Sequence, residues 1–167
     1  MKTIYLAGGC FWGTEHFISQ FDGVIKTEVG YANGNTEHPS YEDVRYKGTG
    51  HAETVKVEYD ENAISTEKLL DYYFMTIDPL SVNRQGEDEG VQYRTGIYYT
   101  DASLLPDIGN SVKKVENIVG KELAVEVKPL ENFYTAEEYH QKYLVKNPTG
   151  YCHISKKLME LNRKNDI

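Results

Sequence analysis

The chain opens on a short β-prone run at residues 3–7, broken by Gly8-Gly9, after which apolar residues recur at helical offsets over 12–21. A second strand pattern follows at 24–31, with Gly23 in the turn. A strand–helix–strand opening confines the chain to folds in which helices cover a sheet. At the first junction stands Cys10, one of only two cysteines, preceded by two glycines and followed by Phe11 and Trp12. A thiol near a helix N-terminus meets unpaired amides and the positive end of the helix dipole, so its pKa is expected to fall. The bland alternative is a buried, inert cysteine, because free cysteine packs as a small hydrophobe.

Farther along, residues 41–46 read as a short helix, and 54–59 alternate apolar with polar, the period of a strand with one wet face. Ser65 can cap a helix that ends before Asp78-Pro79, and residues 80–94 form an acidic loop long enough to suggest function. Residues 96–99 return to strand, 102–119 form the longest helix with Gly120 as its stop, and 123–127 read as the last clear strand. Thr135 is expected to cap a short helix running through Leu144. Alternating elements with some adjacent strand pairs favour an α+β two-layer sandwich over an all-parallel, doubly wound sheet.

The 167 residues set a prior of one domain, taken as 1–153 with a charged tail at 154–167. Eighteen Lys and Arg against 26 Asp and Glu give a net charge of −8 without a basic cluster, which argues against nucleic acid as a partner. No stretch has the length of a membrane span, and residues 1–5 enter a strand without a leader-like apolar run, so a soluble, cytoplasmic protein is expected. In a reducing compartment, two cysteines at 10 and 152 read as a transient redox pair rather than a permanent staple. Fourteen tyrosines against one tryptophan, several in motif segments, suggest hydroxyls near a reactive centre, although most can simply cover sheet edges.

Other chemistries fit less well. A Cys10–His51–Asp88 triad has the residue types for acyl transfer but leaves Cys152 without a task. A thiol peroxidase would carry a sulfenic acid on Cys10 but needs a pocket that activates peroxide, and a binding module would make Cys10 mere core. Gly8-Gly9 lacks the Lys and Ser/Thr of a phosphate loop, and the cysteine and histidine spacings are not those of a zinc site.

Gly9-Cys10-Phe11-Trp12-Gly13-Thr14-Glu15 resembles the signature of the A-type peptide methionine sulfoxide reductases. Gly30-Tyr31, Pro39-Ser40-Tyr41-Glu42-Asp43-Val44 and Gly48-Thr49-Gly50-His51-Ala52-Glu53 match that family in its order. So do Asp78-Pro79, Arg84-Gln85-Gly86-Glu87-Asp88, Gln92-Tyr93-Arg94 and Lys146-Asn147-Pro148-Thr149-Gly150-Tyr151-Cys152, giving a resemblance over residues 3–153.

The resemblance implies a mixed sheet with a ferredoxin-like core and an oxidoreductase that reduces the S epimer of free or protein-bound methionine sulfoxide. Cys10 would attack the substrate sulfur and become a sulfenic acid, which Cys152 would resolve as a disulfide for reduction by thioredoxin or a similar dithiol. Glu53 would be the acid, with Tyr41 and Tyr93 as hydroxyl donors. A carboxyl in a partly dry, aromatic-lined pocket has a raised pKa and can donate near neutral pH, although by itself Glu53 reads as a strand-edge surface carboxylate. Phe11 and Trp12 would wall a pocket for the substrate methyl group, and Asp88 would hold substrate or an ordered water. Glu15 would help shape the site, with His51 a supporting neighbour. No metal, flavin or nucleotide, no membrane and no partner beyond substrate and reductant are implied, and the chain is expected to be monomeric. Some relatives pass the disulfide to a third cysteine, and no cysteine follows Cys152 here.

Overall fold

The computed structural model describes residues 1–154 and Leu158. Strand β1 (Lys2–Ala7) leads into helix α1 (Phe11–Ile18), followed by β2 (Val24–Ala32), α2 (Tyr41–Tyr46) and β3 (Ala52–Tyr59). Next come α3 (Thr66–Met75), the two-residue strands β4 (Arg84–Gln85) and β5 (Asp88–Glu89), and β6 (Gly96–Tyr99). The long helix α4 (Leu105–Val119), β7 (Glu126–Pro129), β8 (Phe133–Thr135) and α5 (Tyr143–Lys146) complete the order.

Six strands form one mixed sheet in the order β7-β6-β1-β3-β2-β8. Strand β3 lies antiparallel between β1 and β2, so the opening strand–helix–strand unit is split by a later strand. The neighbours β6-β1-β3-β2 make the ferredoxin-like core, with β7 added parallel to β6 and β8 antiparallel to β2. The two-residue period of a strand then sorts side chains by face. Ile4 and Leu6 of β1, Val29 and Tyr31 of β2 and Val55, Val57 and Tyr59 of β3 join Phe17, Leu69, Leu70 and Ile108 from the helices in the main core. Tyr5, Ala7, Ala52 and Tyr98 point the other way, under Leu130 and Phe133. This arrangement is the α+β two-layer sandwich expected from the sequence.

Capping follows local chemistry. Ser40 and Asp43 form a reciprocal capping box on α2, Ser65 Oγ accepts the Lys68 amide at α3, and Gly120 stops α4 in the left-handed conformation at φ 75°. Three expectations need correction. The helix expected over 12–21 begins at Phe11 and ends at Ile18, and the strand expected at 123–127 lies at Glu126–Pro129. The helix expected from Thr135 does not form, because Phe133, Tyr134 and Thr135 pair with Ala32, Tyr31 and Gly30 as an edge strand. The segment that follows has only a 3-10 turn at Glu138–His140 and the short α5. The acidic loop at 80–94 contains the β4–β5 hairpin and a 3-10 turn at Val91–Tyr93. Apart from Ile154 and Leu158, the expected charged tail lies outside the described residues. No helix among the described residues is long and apolar enough to cross a membrane.

Glu15 ties these pieces together from a position only 1% exposed. One carboxylate oxygen accepts the Lys142 amide at 2.7 Å, and the other accepts the Thr27 hydroxyl at 2.9 Å. The first bond holds Lys142 at φ 55°, a conformation that L residues other than Asn and Asp seldom adopt. Glu15→Ala therefore leaves the part-buried Lys142 amide and the buried Thr27 hydroxyl without this acceptor and should lower stability by about 1 to 3 kcal/mol. Urea denaturation should show a lower midpoint at an unchanged slope.

Candidate active site

The strand-to-helix junction is built by backbone geometry. Gly9 turns the chain at φ 72° while its amide donates to the Tyr93 carbonyl at 3.1 Å, and Thr14 Oγ1 donates back to the Gly8 carbonyl at 3.2 Å. Cys10 takes the extended N-cap position of α1, with no side-chain cap of its own. The Phe11 amide, one of the donors a helix start leaves unpaired, is taken by Glu53 Oε1 at 3.2 Å. Glu53 reaches it because strand alternation puts it in the same row as Val55, Val57 and Tyr59, on the helix-covered face of β3.

Burial decides the electrostatics. Glu53 is 2% exposed, and its desolvation pushes the carboxyl up to about 8, against the Phe11 amide and Arg45, which favour the charged form. Burial likewise pushes the Cys10 thiol well above its usual value, with Glu53 adding to the shift and only the Trp12 amide opposing it appreciably. The expected lowering of the thiol pKa is thus corrected: at this junction, desolvation and neighbouring carboxylates outweigh the helix N-terminus. Asp88, brought in by the β4–β5 hairpin, is raised by burial although the Tyr151 hydroxyl and the Cys10 amide face its carboxylate.

Aromatic rings close the remaining sides. Phe11 packs with ring centroids 5.7 Å from Tyr31 and 5.2 Å from His140, while Trp12 stacks flat on Tyr143 at 3.7 Å. Trp12 Nε1 donates to His140 Nδ1 at 3.0 Å, which fixes the orientation of both rings. Tyr41 lies 4.7 Å from the same imidazole, and its hydroxyl accepts from Arg45 at 3.0 Å. The phenols of Tyr41 and Tyr93 are both shifted up, chiefly by burial, so they retain protons to donate. Glu137 anchors this wall from below, accepting the Tyr31 hydroxyl at 2.7 Å and the Tyr41 amide at 2.9 Å. Burial works against its charge, but these donors win and its pKa is lowered.

Tyr41, Glu53, Asp88 and Tyr93 therefore gather around Cys10 at the start of α1, which Phe11 and Trp12 lead, and Cys152 approaches along that helix. A Cβ placed on Gly13 would lie 2.8 Å from Cys152 Sγ, and both cysteines are free thiols. Glu15 sits beneath the pocket as the fastener described above. His51 stands apart: its Nδ1 is 2.9 Å from Thr49 Oγ1, its ring lies against Gly34 and Tyr134, and burial with Arg94 holds it neutral. No hydrogen bond among the described residues joins it to Cys10 or Asp88, so a Cys10–His51–Asp88 triad is not assembled. Among the described residues, no three His, Cys, Asp or Glu side chains are grouped to hold a metal ion. Sequence reasoning passed over Tyr31, Arg45, Glu137, His140, Tyr143 and Tyr151. Tyr31 and Tyr151 lie in motifs that carry the resemblance but were given no role, the abundance of tyrosine is the only signal for Tyr143, and nothing local marks Glu137 or His140.

Known proteins share this architecture. A family model described as peptide methionine sulfoxide reductase matches residues 2–166. The peptide methionine sulfoxide reductase MsrA of Clostridium perfringens strain 13 is 60% identical over 154 residues, covering 92% of this chain and 98% of that protein. Among solved structures, Mxr1 from Saccharomyces cerevisiae in reduced form superposes with a TM-score of 0.86 at 38% identity, over 92% of this chain and 91% of that one. Mxr1 in complex with Trx2 also matches, with a TM-score of 0.60 at 28% identity over 85% and 84% of the two chains. A thiol and a protonated carboxyl sharing an aromatic pocket, on a chain that matches these relatives nearly end to end, place it among the A-type peptide methionine sulfoxide reductases.

Proposed function

We propose that Cys10 is the nucleophile of this reductase and Glu53 its proton donor, acting on the S epimer of methionine sulfoxide, free or in proteins. The observation that carries this reading is the neutral carboxyl of Glu53, buried on the core face of β3 and oriented by the Phe11 amide. A sulfoxide oxygen leaves poorly as an anion, so it must be protonated as the sulfur is attacked. The substrate methyl group rests against Phe11 and Trp12, and the oxygen accepts hydrogen bonds from Glu53, Tyr41 and Tyr93. Asp88 orients the substrate or a water beside it.

Proton donation from Glu53 makes the substrate sulfur cationic and leaves a carboxylate next to the thiol. That carboxylate takes the Cys10 proton as the thiol sulfur attacks, which is how a thiol with a raised pKa becomes reactive only when substrate is present. Transfer of the hydroxyl to Cys10 then releases the thioether, so thiol plus sulfoxide becomes sulfenic acid plus thioether. Cys152 attacks the sulfenic sulfur, a disulfide forms, and the hydroxyl leaves as water with the Cys152 proton. A dithiol resets the pair by exchange. The relative in complex with Trx2 supports thioredoxin in that role; a monomer acting in the cytoplasm is part of the same proposal.

Cys10→Ser should fold and lose sulfoxide reduction, because a serine hydroxyl stays protonated where the thiol reacts; substantial turnover of the S epimer would remove Cys10 from the mechanism. Glu53→Gln keeps the shape and loses the acid, so single-turnover reduction should slow about a hundredfold or more, with Tyr41→Phe and Tyr93→Phe each costing less. In the parent, the same rate should decline as pH rises through about 8, where Glu53 surrenders its proton, and this limb should vanish in Glu53→Gln. Finally, Cys152→Ser should reduce one equivalent of sulfoxide, accumulate a sulfenic acid that dimedone traps, and lose thioredoxin-dependent turnover. Mass mapping of the oxidised parent should show a Cys10–Cys152 crosslink.

A further inference from the structure

Next to Cys152 lies a residue that the reaction has not used. His153 packs against three glycines at the base of the pocket. A Cβ on Gly13 would lie 3.2 Å from His153 Nδ1, one on Gly9 would lie 3.1 Å from both Cε1 and Nε2, and one on Gly86 would lie 3.7 Å from His153 Cβ. Gly9 and Gly13 lie four residues apart, just before and within the first turn of α1, and Gly86 lies in the turn of the β4–β5 hairpin, so two separate backbone segments leave room for this side chain. The ring that fills it is largely enclosed, and apart from the Thr76 backbone its nitrogens meet no hydrogen-bonding group among the described residues. Burial holds the imidazole neutral, with a pKa of about 4, although the Thr76 backbone favours the charged ring.

A neutral imidazole with so little polar company contributes chiefly shape, since a buried polar atom gains little from its polarity without well-placed partners. What that shape controls is the residue before it. Cys152 Sγ rests over Gly13, whose added Cβ would sit 2.8 Å away, and the Ile154 amide donates to the sulfur at 3.4 Å. Gly13 is three residues beyond Cys10, close to one helical turn. Disulfide closure needs the two Cα atoms within about 7 Å, so the segment must be held near this turn for the sulfurs to meet.

We propose that His153 is a positioning residue for the second step: its ring, seated in the Gly9–Gly13–Gly86 cradle, holds Cys152 Sγ over Gly13 within reach of oxidised Cys10. The inference rests on the reading of Cys152 as the resolving thiol. It assigns His153 no contact with substrate and no proton to transfer.

Rapid-quench single turnover of the parent and its variants with methionine S-sulfoxide tests this, following thioether release and Cys10–Cys152 disulfide formation separately. His153→Ala should release thioether at the parental rate and close the disulfide about tenfold or more slowly, since small misplacements of reacting atoms carry large rate penalties. Gly13→Ala suits a helix, which keeps the test intact if His153→Ala folds poorly, and its methyl group should slow closure in the same way by displacing both side chains. His153→Met, flexible and of similar bulk, should recover most of the closure rate. Closure at the parental rate in His153→Ala, or in Gly13→Ala where the first variant does not fold, overturns the proposal. So does a His153→Met variant as slow as His153→Ala, which would mean that a ring nitrogen does the work. The resolving role of Cys152 itself fails on a different result: Cys152→Ser clearing its sulfenic acid and turning over with thioredoxin like the parent.

Discussion

One hydrogen bond organises this molecule, from the Phe11 amide to Glu53 Oε1. It joins the first turn of α1 to the helix-covered face of β3, two segments about forty residues apart that meet only because β3 inserts between β1 and β2. A helix start supplies unpaired donors, and a carboxyl in the core needs at least one. Each settles the other's deficit, and the arrangement brings a buried acid beside the thiol at the N-cap. Had Glu53 been placed one residue earlier or later on β3, the strand period would have sent it to the other face of the sheet.

Glu53 and Glu137 stand on either side of the same aromatic wall with opposite protonation. Glu137 collects the Tyr31 hydroxyl and the Tyr41 amide and remains charged. Glu53 has one backbone donor at 3.2 Å and deeper burial, and stays neutral. The number of donors facing each carboxylate divides the labour between an anchor and an acid. The anchor in turn explains why Tyr41, from a helix, and His140, from a turn after β8, converge on one pocket. Trp12, held by His140 on its edge and by Tyr143 on its face, completes a wall whose order is established before any substrate arrives.

Much of this was legible in the sequence because the informative residues lie in short local patterns. Gly8-Gly9 before Cys10 and the helical offsets after it foretold the junction, Ser65 and Gly120 marked helix ends, and adjacent strand patterns indicated the layered class. Strand order was not legible, since pairing β1 with β3 rather than β2 depends on contacts between distant segments. Thr135 misled because its capping chemistry is local, whereas Phe133 and Tyr134 gain more by pairing with β2. Glu53 reads as a surface carboxylate if the strand begins at 54; begun at Ala52, the same period puts it in the row of Val55 and Val57. The thiol was misjudged for a similar reason: the helix N-terminus is visible in a sequence, but the desolvation that overrides it is not. Residue roles such as those of Tyr41 and Tyr93 rested on family resemblance, for nothing in their immediate neighbours distinguishes them from other tyrosines.

The neutral state of Glu53 also bears on how firmly the fold is held. In the unfolded chain the carboxyl ionises near its ordinary 4.5, whereas in the fold it keeps its proton up to about 8. The native state therefore binds a proton that the unfolded chain releases, and stability falls as pH rises between those two values, by about 1.4 kcal/mol for each unit of separation. Below 4.5 this penalty is absent; above 8 it is complete. At neutral pH the molecule thus tolerates a standing loss of stability at the position where its chemistry is placed, and the surrounding core of β1, β3 and α1 has to be strong enough to absorb it. Selection for a more robust protein alone would remove this carboxyl first, so its retention ties the thermal margin of the fold to the chemistry of its pocket.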